Sequence, residues 1–107
     1  AKELTFTGRI LNGEQAKEVG LVTRVADDPF AEAMALAEEI AGKNPDAVRA
    51  GKALYEQAWH ADARTGLELE AALQAQLIGT ANQIEAVKAN FEKRAPTFQP
   101  ATRTEQG

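Results

Sequence analysis

The 107-residue sequence contains no cysteine and a single histidine. Disulfides, thiolate catalysis and cysteine-based metal sites are therefore excluded, and one histidine cannot build a polyhistidine metal site. Positive charge is also scarce, because 12 Lys and Arg face 16 Asp and Glu, for a net charge of −4. This composition lacks the clustered positive charge that nucleic acids and anionic lipids require. We expect no nucleic-acid partner and no metal site.

Long hydrophobic runs are missing as well. No apolar stretch approaches the roughly 20 residues that span a bilayer, and no signal peptide is expected, so the sequence predicts a cytoplasmic protein without a membrane partner. Large apolar side chains are few, because 22 of the apolar residues are alanine. Alanine favours helix but buries little area. We therefore expect a thin core that takes buried surface from a partner or from a missing part of the same protein.

Helix-forming patterns dominate what remains, and all but the one at 64–79 begin at a capping residue or an Asx-Pro pair. The predicted helices cover a short segment at 12–19 and then approximately 28–41, 46–59, 64–79 and 80–94. The stretch 64–79 is apolar on two sides, which predicts contacts with more than one neighbouring element. In the last helix, Ile84, Val87 and Phe91 are predicted to face inward.

Two short strands are also predicted, both near the start of the sequence. Leu21–Val25 is rich in β-branched residues and alternates, and acidic residues follow it. Thr5–Thr7 is a second, shorter candidate. Two such strands do not make a sheet, so we expect the first part of the sequence to be the end of a larger structure.

Isolated ionisable side chains give little support for catalysis. His60 lies at a predicted helix end and could transfer protons, but no partner follows at motif spacing, and a surface histidine is the simpler interpretation. The adjacent carboxylates Glu38 and Glu39 point in different directions on a helix and are typical of a solvated face. We predict no catalytic residue.

A basic cluster at the end of the last predicted helix has two interpretations. Lys88, Lys93 and Arg94 could simply interact favourably with the helix dipole, with Lys88 also paired to Glu92 four residues on. They could instead form an anion site, for instance for a phosphate of a ligand that lies across the helix end. The residues alone leave both interpretations open.

Three segments, taken in order, carry a family resemblance: AKELTFTGR at 1–9, GEQAKEVGLVTRV at 13–25 and FEKRAPTF at 91–98. Together they resemble the enoyl-CoA hydratase/isomerase (crotonase) family. The resemblance implies a mainly α chain, the C-terminal helical region of a crotonase-like (ClpP/crotonase) α/β spiral fold, with one or two short strands at the start. It divides the chain into the end of the crotonase core at 1–27, a helical lid and trimerisation region at 28–95 and a flexible tail at 96–107.

The same resemblance implies a function. In this family the oxyanion hole and the acidic groups lie in the N-terminal part, so the chain resembles the C-terminal portion of an acyl-CoA enzyme. The simplest such enzyme is an enoyl-CoA hydratase of fatty acid metabolism, which adds water to a 2-enoyl-CoA. The portion alone is expected to be inactive and to serve subunit assembly and covering of the coenzyme A site. No separate cofactor is implied, since coenzyme A is part of the substrate.

Partners follow from the resemblance too. They are the acyl-CoA substrate and further copies of the chain, in a trimer or hexamer of the intact enzyme. The alternative is a stand-alone, non-catalytic helical module for oligomerisation or interaction. A helix-like opening without a capping residue or an initiator methionine favours the enzyme portion over the module.

The resemblance assigns one ligand site, at Lys93 and Arg94. In relatives the lysine of the final E-K-R reaches the nucleotide end of coenzyme A, often in a neighbouring subunit's site, and that lysine is Lys93 here. Relatives commonly carry an aromatic residue two positions before the glutamate, near the adenine, where this chain has Asn90. Phe91 is one position later and faces about 100° away on a helix. The chain therefore departs from the family's pattern for adenine stacking.

Overall fold

The computed structural model describes residues 1–101, which contain six α-helices. These are α1 (Lys2–Thr7), α2 (Gly13–Glu18), α3 (Pro29–Ala41), α4 (Pro45–Ala58), α5 (Ala63–Leu77) and α6 (Ala81–Phe91). The chain divides into two compact units, with the boundary inside α3 between Leu36 and Ala37. The predicted division at 27/28 and 95/96 stays a prediction, and residues 102–107 of the predicted flexible tail lie outside the described residues.

The predicted strands are wrong, because residues 1–101 contain helices, turns and irregular segments but no strand. Thr5 and Thr7 lie in α1, where their hydroxyls donate to the carbonyl oxygens of Ala1 and Glu3, four residues back. Leu21–Val25 is irregular. A strand is defined by hydrogen bonds to a partner strand, and the described part of the chain offers no partner for this segment.

Side-chain caps fix where several helices begin, as the sequence predicts for α2, α4 and α6 but not for α5. The capping residues are Asn12, Asn44, Asp62 and Thr80. At α2 the capping box is complete, since Gln15 N donates to Asn12 Oδ1 at 2.9 Å and Asn12 N donates to Gln15 Oε1 at 3.1 Å. At α6 only half of the predicted box forms, because the Gln83 side chain accepts from the amide of Gly79 rather than from that of the capping residue.

In the second unit, α4 and α5 pack against each other. A glycine permits close approach at one end, because a Cβ added at Gly66 would lie 3.6 Å from the Cβ of Ala58. One predicted apolar side of α5, which carries Leu69, Leu73 and Leu77, is half-buried. The other side is uncovered, with Leu67 65% and Ile78 66% exposed. Of the two predicted apolar sides of α5, one is thus half-buried and the other is largely exposed within the described residues.

Helix α6 turns a different face inward from the one predicted. Ile84 and Val87 are exposed, and Phe91 is 81% exposed. The buried residues of the described chain are instead Ala89, 1% exposed, and Asn82, 4% exposed. On this helix a small side chain and a hydrogen-bonded one are buried, whereas the large apolar side chains are exposed within the described residues. The predicted end of the helix near Arg94 is also late by three residues, since α6 ends at Phe91.

The first unit contains an apolar groove of about 530 Å3. The groove is lined by residues of the segment 22–26, of α3 and by Gly13 at the start of α2. Gly13 lies close to this segment, because a Cβ added there would lie 3.2 Å from Cγ1 of Val25. An ion pair between Arg24 and Glu32, 3.0 Å long, joins the segment to α3. None of the helices between residues 1 and 101 has the length and apolar character needed to cross a membrane.

Candidate functional site

The sequence-predicted site lies at the turn that ends α6. The amide of Lys93 donates to the carbonyl oxygen of Asn90 at 3.3 Å, and the amide of Arg94 donates to that of Ala89 at 3.0 Å. This pair of bonds is the Schellman motif, which ends a helix with one residue in the left-handed conformation. That residue is Lys93, with a φ of 53°. The turn therefore fixes the backbone of the lysine that the family resemblance singles out.

Lysine is an unusual residue at this position. Within the described chain, Lys93 is the one non-glycine residue with a left-handed φ, and glycine fills the other such positions, Gly8, Gly20 and Gly79. A side chain with a Cβ in this conformation costs about 1–2 kcal/mol relative to its preferred geometry. Strained backbone of this kind clusters at functional sites, where the side chain is needed despite the strain. The conformation thus makes Lys93 a stronger candidate than its exposure alone would.

Arg94 lies next to Lys93, but its charge is already engaged. Its guanidinium donates to both carboxylate oxygens of Glu85, at 2.5 and 3.0 Å, and its Nε donates to Glu92 Oε2 at 2.6 Å. Hydrogen bonds from Arg94, and then from the amide of Thr97, lower the pKa of Glu85 to about 2. The same carboxylates raise the pKa of the Arg94 guanidinium above its usual value. Two paired carboxylates leave this guanidinium a poor partner for a further anion.

The basic cluster therefore separates into residues with different surroundings. Lys88 pairs with Glu92 at 3.9 Å, as the spacing predicts. Arg94 is held in its carboxylate pairs. Lys93 is exposed, and its ammonium makes no ion pair with any residue from 1 to 101. Of the three cations, Lys93 is the one that can bind a ligand's phosphate without first losing a partner.

Hydrogen bonds also fix the chain that follows the turn. The amide of Thr97 donates to Glu85 Oε1 at 2.8 Å. The Asn82 side chain then pairs with the backbone of Gln99, accepting from its amide at 2.8 Å and donating to its carbonyl oxygen at 3.1 Å. Asn82 donates in addition to Asp46 Oδ2 at 2.7 Å. Arg94, Thr97 and Gln99 are thereby attached to side chains of α6.

Sequence reasoning missed Glu85 and Asn82. Their partners are 9 to 36 residues away along the chain. No periodicity or motif links residues at such separations, although Asn82 and Glu85 could be placed on the same helix. The sequence contained no signal that would have identified either role.

The other candidates gain no support from the structure. His60 is exposed, and its side chain has no hydrogen-bond or ion-pair partner within residues 1–101. Glu39 pairs with Lys43 at 3.9 Å on the surface of α3, and Glu38 is exposed beside it. These are the surroundings of solvated side chains, and they bring together no acid–base pair.

Replacing Lys93 with glycine should raise the free energy of unfolding by about 0.5–1 kcal/mol, because glycine adopts the left-handed conformation without strain. Urea denaturation followed by circular dichroism measures the change. Lys88→Gly is the matched control on the same helix, and it should lower stability by about 1 kcal/mol. Equal destabilisation by both variants would contradict the left-handed turn at Lys93.

Comparisons with known proteins identify relatives of the chain. The family model for enoyl-CoA hydratase/isomerase matches residues 1–101. The mouse protein named enoyl-CoA hydratase domain-containing protein 2, mitochondrial, is 42% identical over 92% of the chain and 35% of its own length. Methylglutaconyl-CoA hydratase, mitochondrial, from mouse is 38% identical over 92% of the chain and 33% of its own length.

A solved structure is similar as well. The crystal structure of an enoyl-CoA hydratase from Bacillus anthracis superposes with a TM-score of 0.86 at 36% identity, over 91% of this chain and 38% of that one. The chain thus spans about a third of the length of the curated relatives it matches. The match to the family model covers the six helices and the turn that carries Lys93.

Proposed function

The chain belongs to the enoyl-CoA hydratase/isomerase family, and from that premise we propose that it is the C-terminal helical part of an acyl-CoA hydratase. The reaction is the addition of water to the double bond of a 2-enoyl-CoA. Relatives named as hydratases of enoyl-CoA and methylglutaconyl-CoA support this reaction class. Coenzyme A enters as part of the substrate, and no separate cofactor is proposed.

The role proposed for this part is assembly of subunits and covering of the coenzyme A site. The observation that carries it is the uncovered apolar surface of the second unit. Trp59 is 82% exposed and Phe91 81%, and on the second apolar side of α5 Leu67 is 65% and Ile78 66% exposed. Large apolar and aromatic side chains of this kind are typical of the centres of protein interfaces. Further copies of the chain, in a trimer or hexamer, are the proposed partners.

Lys93 is the proposed contact to the nucleotide end of coenzyme A. Its ammonium pairs with no carboxylate among residues 1–101, and its backbone adopts the left-handed turn described above. Arg94, which the resemblance places beside it, is committed to Glu85 and Glu92. Asn90, where relatives commonly carry an aromatic residue, offers no stacking surface for adenine. The proposed recognition is therefore electrostatic, between the ammonium of Lys93 and a phosphate of coenzyme A.

No residue of this chain is proposed to be catalytic. Most of the described carboxylates are exposed or paired with cations, Asp46 accepts a hydrogen bond from Asn82, and the single histidine has no partner among residues 1–101. The cytoplasmic location predicted from composition stays a prediction, because several relatives carry "mitochondrial" in their names.

The test is binding and turnover by the full 107-residue chain. Coenzyme A should bind, Lys93→Met should weaken that binding about tenfold, and pantetheine, which lacks the nucleotide, should bind equally to both proteins. Lys17→Met removes an exposed lysine of the first unit and should change neither affinity. With a 2-enoyl-CoA, the chain alone should show no hydration in a spectrophotometric assay.

Two results would contradict this proposal. Hydration by the chain alone would show that it contains catalytic groups. Equal affinity of the unmodified chain and Lys93→Met for coenzyme A would show that Lys93 does not contact the nucleotide. A chain that oligomerises but binds no coenzyme A would favour the stand-alone interaction module.

A further inference from the structure

The carboxylate of Glu85 connects α6 to the chain on the far side of Lys93. It accepts two hydrogen bonds from the guanidinium of Arg94, the residue directly after the lysine. It also accepts one from the amide of Thr97, four residues after the lysine, at 2.8 Å. The Glu85 side chain is only 22% exposed, so most of it is covered by the protein. One side chain thus fixes two points of the segment that leaves the turn.

Lys93 depends on these attachments, because nothing in the described chain fixes its side chain directly. On the helix side, its turn is held by the carbonyl oxygens of Ala89 and Asn90. On the other side, it is held by the bonds from Arg94 and Thr97 to Glu85. A left-handed lysine relaxes to an ordinary φ when its neighbours are free, since that relaxation relieves strain. The hydrogen bonds to Glu85 oppose this relaxation on the C-terminal side of Lys93, where the segment that follows is not helical.

We propose that Glu85 is a positioning residue for the nucleotide contact, and that Arg94 transmits its effect rather than binding the ligand. The inference rests on the proposed function of Lys93. Glu85 holds Arg94 and Thr97 in place, and they in turn keep Lys93 in the conformation that presents its ammonium at the end of α6. Glu85 itself touches no ligand.

The charges at the turn support this assignment. Glu85 and Glu92 together more than neutralise the guanidinium of Arg94, so an anion that approaches Arg94 also meets two carboxylates. Within residues 1–101, the ammonium of Lys93 forms no ion pair with a carboxylate. Because the pKa of Glu85 is about 2, its carboxylate stays ionised, and the attachment stays intact, at neutral and mildly acidic pH.

A double-mutant cycle tests the proposal. The variants of the full chain are Glu85→Gln, Lys93→Met and the double variant, and the measurement is the dissociation constant for coenzyme A by calorimetry. Glutamine keeps the size of Glu85 but loses the charge and one of its two acceptor oxygens. We expect Glu85→Gln to weaken binding about fivefold and to add nothing once Lys93 is methionine. Glu70→Gln, at an exposed glutamate of α5, is the matched control and should have no effect.

A direct role of Arg94 in phosphate binding predicts the opposite change in coenzyme A affinity. If Arg94 bound the phosphate directly, Glu85→Gln would release the guanidinium from its carboxylate and strengthen coenzyme A binding. That result would overturn the proposal, and so would a Glu85→Gln effect that stays the same in the Lys93→Met background. If Lys93→Met alone left the affinity for coenzyme A unchanged, the proposed function of Lys93 would be contradicted instead, because Lys93 would then make no contact with the nucleotide.

Amide hydrogen exchange tests the positioning role of Glu85 without any ligand. In Glu85→Gln the amides of Arg94 and Thr97 should exchange at least about tenfold faster, while the amide of Gln83 at the start of α6 should keep its rate. Unchanged exchange at Arg94 and Thr97 would overturn the claim that Glu85 holds the turn. Faster exchange along the whole of α6 would overturn it too, because the residue would then be merely structural.

Discussion

Replacement of Asn82 by alanine is expected to lower the free energy of unfolding of the second unit by about 2–3 kcal/mol. Asn82 is one of the most buried residues in the described chain, at 4% exposure. Its amide joins the start of α4, through Asp46, to the segment after α6, through both backbone groups of Gln99. Alanine would break all three hydrogen bonds at once and leave polar groups in a half-buried setting without these partners.

A matched variant on the same helix separates this effect from a change in helix propensity. Asn90→Ala makes the same chemical change at an exposed position, where the side chain has no hydrogen bond within residues 1–101. It should change stability by less than about 0.5 kcal/mol. Urea denaturation of both variants measures the difference. Equal effects for Asn82→Ala and Asn90→Ala would show that the Asn82 network is not formed in solution.

The second large effect is expected on self-association. Leu67→Lys combined with Ile78→Lys places two charges on the uncovered apolar side of α5, where the two native side chains are 65% and 66% exposed. If further copies cover this side, the double variant should weaken association at least about a hundredfold, because burying each aliphatic side chain contributes about 1.5–3 kcal/mol. Both positions are exposed in the single chain, so its helices should keep their circular dichroism spectrum.

The control for added charge lies on the same helix. Gln74→Lys combined with Gln76→Lys introduces the same two lysines at exposed polar positions of α5. This control should associate nearly as well as the unmodified chain. Sedimentation of the three proteins over a range of concentrations compares them directly. Equal association of both double variants would show that the apolar side of α5 is not part of the interface.

The starts of several helices were predictable, because they depend on interactions between residues close in sequence. The capping residues Asn12, Asn44 and Thr80 mark helix starts in the sequence, and they do so in the structure, because a cap is satisfied within three residues of itself. Leu21–Val25 could not be predicted in the same way. Its β-branched pattern favours a strand, but a strand needs a partner, and the described residues provide none.

Which face of a helix is buried was predictable only where the neighbour belongs to the described chain. The stripe of Leu69 and Leu73 is half-buried, as its spacing predicts, on the helix α5 that packs against α4. Ile84 and Phe91 on α6 have the spacing of an inward face and are exposed. Periodicity identifies an apolar face without identifying what covers it. The errors in the predicted core therefore coincide with the surface proposed to bind further copies.

The candidate site shows the same division between local and distant interactions. The family resemblance located Lys93 and Arg94 together, and the structure places them in adjacent positions of one turn. The resemblance could not distinguish the surroundings of the two residues, because the contact of Arg94 with Glu85 spans nine residues. The left-handed φ of Lys93 was also invisible in the sequence, where glycine rather than lysine indicates such a turn.

The central claim is that these helices carry the assembly of an acyl-CoA enzyme, and the solution mass of the chain tests it most directly. Light scattering of the full 107-residue chain, repeated over a range of concentrations, distinguishes the outcomes. The account predicts a defined oligomer, with a trimer at three times the 11.5 kDa mass of the chain as the expected species. A monomer at every concentration would contradict the claim, and so would a mass that grows without limit, since neither is a specific assembly.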